Sequence, residues 1–255
     1  MEVVEYYRRI FPHEQLEDEK SQNVAIRIKK AADMFKEDLN EKRLSVYKVL
    51  DIGCATGFLS SFLDVDRFHL YGIEINPILA QKARERYHYV WEIDLEESWP
   101  VESESFDGVF AGAVLEHVFD YHFVLNEINR VLKFHGMLVV EVPNLGAWKE
   151  IYRLIRRRHP HWAQDIQHLH QWTKVKLETV IMQHGFEIKE TVCDRLAPPF
   201  WKKLRSRWLE KVFASWGRVL ICKAYKMRKA VVVDKRLAHL YSKTIPIDSK
   251  TVEVL

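Results

Sequence analysis

An acidic residue and two glycines stand where a short apolar run meets a turn. Asp51 lies near the end of the run VYKVLDI (46–52), and Gly53 and Gly57 belong to the turn GCATG that follows. Glycine tolerates unusual backbone dihedral angles, and free N–H groups at the start of a following helix favour a carboxylate or phosphate. The segment predicts a loop that a ligand approaches closely, although a tight turn that binds nothing has the same pattern.

Two further carboxylates end the next two β-rich runs. Glu74 lies in HLYGIEI (69–75), and Asp94 lies in YHYVWEIDL (87–95). Unpaired charge is costly at central strand ends, so acidic residues in three such places indicate a polar ligand. A carboxylate after the second strand suits the two hydroxyls of a ribose. A dinucleotide is disfavoured, because its phosphate fingerprint needs glycine where this chain has Phe58.

The β-rich runs alternate with helical patterns, which predicts a Rossmann-like α/β fold. Further runs are FDGVFAG (106–112), GMLVVEVP (136–143), FEIKETVCD (186–194) and RVLICKAYK (218–226). Such alternation requires right-handed crossovers and a sheet covered on both faces, with ligands at the carboxyl ends of the strands. We therefore predict a doubly wound, mostly parallel seven-stranded sheet and an irregular stretch at 144–172.

The domain organisation follows from the same periodicities. Residues 1–45 are predicted to form an N-terminal helical cap, because apolar residues recur there at helical spacing. Residues 46–226 form the predicted ligand-binding domain, with a helical insertion at 195–217 between its last two strands. Residues 227–255 form a tail with little periodicity.

The ordered motifs resemble those of class I S-adenosylmethionine-dependent methyltransferases. Between residues 46 and 143, the resemblance rests on VLDIGCATG, YGIEINP, EIDLEE, FDGVFAGAVLEHV and INRVLKFHGMLVVEVPN. The later stretch HLHQWTKVKLETVIMQHGFEI (168–188) is similar to the broad small-molecule and lipid-type branches. The resemblance implies a domain that binds S-adenosylmethionine and methylates a small-molecule or amphiphilic, lipid-like acceptor.

The same resemblance assigns the cofactor contacts. The methionine part of the cofactor would lie against Asp51 and the turn after it, the ribose on Glu74, and the adenine near Asp94. The predicted cofactor-binding residues are Asp51, Gly53, Cys54, Ala55, Gly57, Glu74, Ile75, Asp94, Leu95 and Ala111. Ala55 stands where many relatives have a middle glycine, and alanine keeps the turn small.

Three histidines are candidate catalytic residues. Methyl transfer is an in-line displacement at a carbon activated by a sulfonium, so alignment in a dry site is the main requirement. A base near an acceptor hydroxyl adds about 10²- to 10⁴-fold. His117 is the first candidate, since the resemblance places it between cofactor and acceptor, and bracing of the following helix is its alternative role. His168 and His170 alternate in an extended segment and would both face the site, with backbone hydrogen bonding or metal binding as alternatives.

No metal site is predicted. Family branches that hold magnesium have a glutamate three positions before their Glu-His pair, where this chain has Ala113. The cysteines Cys54, Cys193 and Cys222 form no CxxC pair, and an odd count far apart in sequence is not typical of a zinc site or a disulfide framework.

Two segments outside these motifs bear on partners. The basic stretch 153–161, flanked by Trp148 and Trp162, is compatible with an RNA methyltransferase. A solvated helix face is the simpler interpretation, because no separate RNA-binding module is evident and the net charge is +3. In 200–216 a Trp-rich apolar face opposes lysines and arginines, which predicts a lid over an apolar acceptor or a helix at a membrane surface.

Targeting signals give the last expectation. The start MEVVEYYRRI has acidic residues where a signal peptide is basic, and no apolar run approaches the roughly 18 residues of a membrane span, so we expect a cytoplasmic protein.

A cofactor-binding protein without catalysis is the alternative class. Bound S-adenosylhomocysteine together with turnover would separate an enzyme from such a protein.

Overall fold

A computed structural model describes residues 22–161, 167–194 and 207–229. Within them, seven strands form one sheet: β1 (Tyr47–Ile52), β2 (Phe68–Ile73), β3 (Tyr89–Trp91), β4 (Phe106–Gly112), β5 (Leu132–Pro143), β6 (Phe186–Cys193) and β7 (Val219–Lys226). The α-helices are α1 (Gln22–Lys42), α2 (Pro77–Arg84), α3 (Tyr121–Val131), α4 (Trp148–Ile155), α5 (Lys174–Gln183) and α6 (Arg207–Val212). Short 3₁₀ helices span Phe58–Phe62 and Ala214–Trp216.

The strand order is β3-β2-β1-β4-β5-β7-β6. The pairs β1–β2, β2–β3, β1–β4 and β4–β5 are parallel, whereas β7 runs antiparallel between β5 and β6. The chain order reverses between β1 and β4, which makes the carboxyl edge of these strands the switch point where such sheets bind ligands. The predicted Rossmann-like, mostly parallel seven-stranded fold is confirmed.

Alternate strand residues enter two separate cores. On β5, Leu138 and Val140 join the core that contains residues of α3 and α5. Met137 and Val139 join the core that contains residues of α1 and α2. Successive side chains of a strand point to opposite faces, so the side chain of Glu141 lies on the α1 face of the sheet.

Helix α1 crosses this face from the carboxyl edge of the sheet towards its amino edge. Near its start, the Lys30 ammonium donates to the carbonyls of Cys193 (2.9 Å) and Asp194 (3.0 Å) at the end of β6. At its end, the Lys42 ammonium donates to the carbonyl of His135 (2.7 Å), in the amino half of β5. The beginning of α1 is therefore close to the edge where ligands bind.

Three boundaries differ from those predicted. Strand β3 ends at Trp91, so Asp94 lies three residues beyond the strand, where its Oδ1 accepts from the Glu96 N–H (2.9 Å) in a turn. The stretch 144–172, predicted to be irregular, contains α4. Strand β5 begins at Leu132, directly after α3, with a register shift against β4 that the apolar pattern did not reveal.

Among the helices in the described residues, none has the length and apolarity needed to cross a membrane.

Candidate functional site

The loop after β1 has left-handed backbone at three positions. The φ angles are +64° at Gly53, +48° at Ala55 and +75° at Gly57. The N–H groups of Gly53 and Cys54 both donate to the carbonyl of Ile73 (2.8 and 3.1 Å), which fixes the loop to the end of β2. A 3₁₀ helix follows where the sequence predicted a helix start.

Glu74 connects the ends of β1 and β2. Its side chain follows β2, is 7% exposed, and accepts from the N–H of Ala55 (2.9 Å, Oε2) and of Asn76 (2.8 Å, Oε1). Burial raises the pKa of the Glu74 carboxyl, and the backbone N–H donors counteract the rise. The Ile75 N–H also acts on this carboxyl. A carboxylate has about four lone-pair positions, more than these three donors occupy. The group can thus bind a further donor such as a ribose hydroxyl.

Asp51 is a buried carboxylate near the end of β1. It is 4% exposed, and its Oδ2 accepts from the Tyr87 hydroxyl at 2.5 Å. Burial raises the pKa of Asp51 to about 7; the Tyr87 hydrogen bond opposes this rise, while the Glu74 and Glu141 carboxylates add to it. The ionised form of Asp51 is therefore costly until a positive charge comes close.

Glu141 on β5 adds a third buried carboxylate to this edge. It is 2% exposed, and its Oε1 has no hydrogen-bond partner among the described residues. Burial raises the pKa of Glu141 to about 7, the Arg27 guanidinium on α1 counteracts the rise, and Asp194 adds to it. Sequence reasoning missed Glu141, although a single charge inside the apolar run LVVEVP was the signal that could have revealed it.

Three other predicted cofactor residues offer mainly backbone or apolar surface. The side chain of Cys54 is buried in the core shared with α1 and α2, and a Cβ added to Gly72 would meet its Sγ at 2.5 Å. Ala111 is buried in the opposite core. Ile75 follows Glu74 and is half-buried. A cofactor contact at Cys54 would have to use its backbone.

Asp94 and Leu95 are half-buried and lie beyond β3. The carbonyl of Leu95 accepts from the Trp99 indole N–H at 3.0 Å, and the Leu95 side chain packs against the core shared with α3. Both residues remain candidates for contacts with an adenine.

A Glu-His-His cluster follows β4. The Nε2 of His117 lies 4.0 Å from Oε1 of the buried Glu116, and the His117 and His168 rings are 4.9 Å apart between centroids. One donor atom from each of the three residues lies within 4.8 Å of the other two. Such a set can bind a cation or exchange a proton, and sequence reasoning did not include Glu116.

The ring of His117 is held in one tautomer. Its Nδ1 lies 3.1 Å from the carbonyl oxygen of Gln167. Because a carbonyl only accepts, Nδ1 carries the proton, and Nε2 of the neutral ring is left as an acceptor. The segment around His168 thereby both orients His117 and supplies a second imidazole.

His170 lies in a different environment from His168. Its backbone N–H donates to the carbonyl of Glu116 (3.1 Å), but its ring packs at 4.7 Å from the ring of Tyr121, and its Nε2 is 3.3 Å from the Phe119 carbonyl. The structure brings His117 and His168 together, while the His170 ring has separate partners.

The basic stretch lies on α4 and the residues after it. A surface pocket of about 360 Å³ is lined by Trp148, Lys149, Tyr152, Arg153, Arg156 and Arg158. Most of this stretch is exposed, as expected for a solvated face. Trp162 lies outside the described residues.

The Trp-rich segment is described from Arg207 onwards, and its part at 200–206 lies outside the described residues. Trp208, Val212 and Trp216, spaced four residues apart, are 68%, 53% and 51% exposed. The segment adjoins the carboxyl edge of β5, because the Asn144 side-chain amide donates to the carbonyl of Ser215 (2.9 Å).

Comparisons with known proteins agree with this geometry. A family model described as a methyltransferase domain matches residues 50–140. A mitochondrial ubiquinone biosynthesis O-methyltransferase of Rattus norvegicus is 26% identical over 179 residues, which are 62% of this chain and 49% of the rat protein. The chain thus spans about half the length of that relative.

Two further proteins are similar over most of their length. An uncharacterized protein of Methanocaldococcus jannaschii is 30% identical over 185 residues, 71% of this chain and 79% of that protein. The crystal structure of an S-adenosylmethionine-dependent methyltransferase from Thermotoga maritima superposes with a TM-score of 0.58 at 18% identity, covering 87% of this chain and 97% of that one.

Proposed function

We propose that this chain, which belongs to the class I S-adenosylmethionine-dependent methyltransferase family, transfers a methyl group from this cofactor to a small-molecule or lipid-like acceptor. The observation that carries the proposal is the set of buried carboxylates around the loop after β1, at the switch point of the sheet. Residues 46–226 would form the catalytic domain and residues 1–45 its cap.

The residues at this edge fit S-adenosylmethionine. The cofactor carries a sulfonium and an ammonium, and Asp51, Glu74 and Glu141 concentrate buried negative charge that a cation would relieve. Glu74 has acceptor positions for a ribose, and the loop at 53–57 lets a ligand approach the backbone. When bound, the cofactor supplies an electrophilic methyl carbon on a positively charged sulfur.

On the acceptor side, His117 would take the proton of an acceptor hydroxyl at Nε2. The Gln167 carbonyl fixes the ring with that nitrogen as acceptor, and the Glu116 carboxylate 4.0 Å away would stabilise the imidazolium that forms. His168 beside it would position the acceptor. His170, whose ring packs on Tyr121, would brace this segment.

An apolar acceptor is supported by two features. The name of the rat relative places that enzyme in ubiquinone biosynthesis. In this chain, the exposed Trp208 and Trp216 lie on the segment that adjoins the carboxyl edge of β5. The described part of this segment, residues 207–216, would act as a lid that excludes water from the acceptor pocket.

Sedimentation with anionic vesicles separates the lid from a membrane-docking helix. A lid predicts that the wild-type chain stays in the supernatant, whereas a docking helix predicts sedimentation that Trp208→Glu abolishes. Val65→Glu, which adds the same charge at another exposed apolar residue, serves as the matched control.

An RNA acceptor is the second candidate. The pocket beside α4 is lined by Trp148, Tyr152 and four basic side chains, those of Lys149, Arg153, Arg156 and Arg158. Most of these side chains are exposed, which fits a solvated helix face better than an RNA site. Salt-sensitive binding to tRNA would support RNA as acceptor. Indifference to bulk RNA would remove this candidate.

Methyl transfer itself is tested with labelled S-adenosylmethionine and fractions of a metabolite and lipid extract. The proposal predicts label in an acceptor together with stoichiometric S-adenosylhomocysteine, and loss of the label in His117→Ala. Tight cofactor binding without turnover on any fraction would instead identify a cofactor-binding protein that does not catalyse.

A further inference from the structure

Glu141 is a charged residue in the middle of a buried strand. It pairs with Gly112 of β4 on one side and with Ile221 of β7 on the other, and the N–H of Ala113 donates to its carbonyl at 3.0 Å. One oxygen of its side chain is buried and has no hydrogen-bond partner among the described residues. A buried acceptor left in this state is costly, and a donor that binds there would offset the cost.

Counting residues along α1 and β4 places Arg27 at about the height of Glu141 on the sheet, and the Arg27 guanidinium lowers the pKa of the Glu141 carboxyl. A Cβ on Gly108 would meet the Phe35 ring at 2.6 Å, which places Phe35 of α1 level with Gly108 of β4. From Phe35 back to Arg27, eight residues of helix rise about 12 Å. From Gly108 to Gly112, the neighbour of Glu141, four residues of strand advance about 13 Å.

The edge therefore presents a guanidinium from α1 and a carboxylate from β5 on the same face of the sheet. Arg27 is half-buried and Glu141 is buried. An α-amino acid zwitterion, with an ammonium and a carboxylate on one carbon, needs such a pair of opposite charges. The Asp51 side chain already accepts from Tyr87, whereas Oε1 of Glu141 has no donor among the described residues.

We propose that Glu141 and Arg27 bind the amino-acid end of the cofactor, Glu141 through its ammonium and Arg27 through its carboxylate. This inference rests on the proposed function, since it assumes that S-adenosylmethionine binds at this edge. It makes Glu141 and Arg27 determinants of selectivity for the complete cofactor over its truncated nucleoside.

The test compares two ligands in calorimetric titrations of the full chain. S-adenosylhomocysteine has the amino-acid end, and 5′-methylthioadenosine shares the adenosine and thioether but lacks it. Glu141→Gln and Arg27→Gln should each weaken S-adenosylhomocysteine binding about tenfold or more and change 5′-methylthioadenosine binding by less than about twofold. Glu37→Gln on α1 and Arg43→Gln just after it are the controls at the other end of the helix and should change neither.

The outcomes separate this inference from the proposed function. Equal affinity of wild type, Glu141→Gln and Arg27→Gln for S-adenosylhomocysteine would overturn the inference while leaving cofactor binding intact. An equal loss for both ligands would overturn it too, since that pattern indicates a general disturbance of the site. If the wild-type chain binds neither ligand, the proposed function is wrong, and the inference that rests on it is wrong as well. If Glu141→Gln folds poorly, Arg27→Gln still tests the inference, because Arg27 is only half-buried.

Discussion

The hydroxyl of Tyr87 donates to Asp51 Oδ2 at 2.5 Å, from a residue three positions beyond α2 to a strand end in the centre of the sheet. The same Tyr87 ring lies 3.0 Å from the position that a Cβ on Gly57 would occupy. One aromatic side chain thus supports both the acidic residue and the glycine of the candidate cofactor loop. A substitution at Asp51 or at Gly57 should therefore also change the packing of Tyr87.

The pH dependence of stability follows from the buried carboxylates. The pKa of Asp51 and that of Glu141 are each raised to about 7 by burial, against about 3.9 and 4.3 for unperturbed groups. The folded state then binds protons more tightly, so their contribution is fully present below about pH 4 and is lost as pH rises through about 7. Thermal unfolding of the ligand-free chain should show a falling Tm between pH 5 and 7.5.

Asp51→Asn and Glu141→Gln should each flatten this fall, because the substituted amide does not ionise. Glu92→Gln, at an exposed carboxylate, is the control and should leave the slope unchanged. A slope that both buried variants retain would show that other groups cause it.

Gly57→Val should damage the fold as well as cofactor binding. The added Cβ would point at the Tyr87 ring (3.0 Å) and at Ala83 (3.4 Å), and φ at Gly57 is +75°. Backbone strain of about 1–3 kcal/mol and overpacking of about 1–3 kcal/mol should lower stability. Urea unfolding measures the loss, and wild-type stability with normal binding would refute the loop's assigned role.

His117→Ala should lower turnover far more than cofactor affinity. The Nε2 of His117 lies 4.0 Å from the Glu116 carboxylate. Its loss removes an acceptor for a proton and leaves the residues assigned to the cofactor unchanged. We expect a fall of about 10²- to 10⁴-fold in kcat. His170→Ala should cost little, and equal losses of kcat and affinity in His117→Ala would indicate a structural role.

Activity should survive removal of divalent metal ions, as the sequence predicts from Ala113. The cluster of Glu116, His117 and His168 is the set in the described residues that challenges this prediction. Dialysis against EDTA followed by an activity assay checks it. The prediction would be wrong if EDTA abolished activity and magnesium or zinc restored it. If the metal failed to restore activity in His168→Ala, the cluster would be identified as the metal site.

Strand positions were predictable because burial on both faces gives continuous apolar runs, as in β4 and β5. The end of β3 was not predictable, since the alternation of Tyr89 and Trp91 continues through Ile93 and Leu95. The turn that ends the strand depends on a hydrogen bond of the Asp94 side chain. The position of Glu74 after the second strand identified it, and the resemblance to the methyltransferase family identified His117. Two pairings could not be predicted, because each joins segments that are distant in sequence and come together only in the folded chain. These are Glu116 with His168, and Glu141 with Arg27.

Loss of Glu74 is the most direct test of cofactor binding at this edge. Glu74→Ala removes the candidate ribose acceptor and also leaves the N–H groups of Ala55 and Asn76 without their acceptor. Removing hydrogen bonds to a charged group costs about 1.5–3 kcal/mol, which is tenfold or more in affinity.

The deciding measurement is the calorimetric titration of wild type and Glu74→Ala with S-adenosylhomocysteine at pH 7.5. The account predicts saturable one-to-one binding by the wild-type chain and a dissociation constant at least about tenfold larger in the variant. Absence of binding by the folded wild-type chain, or equal affinity in the two proteins, would contradict a cofactor site at the ends of β1 and β2.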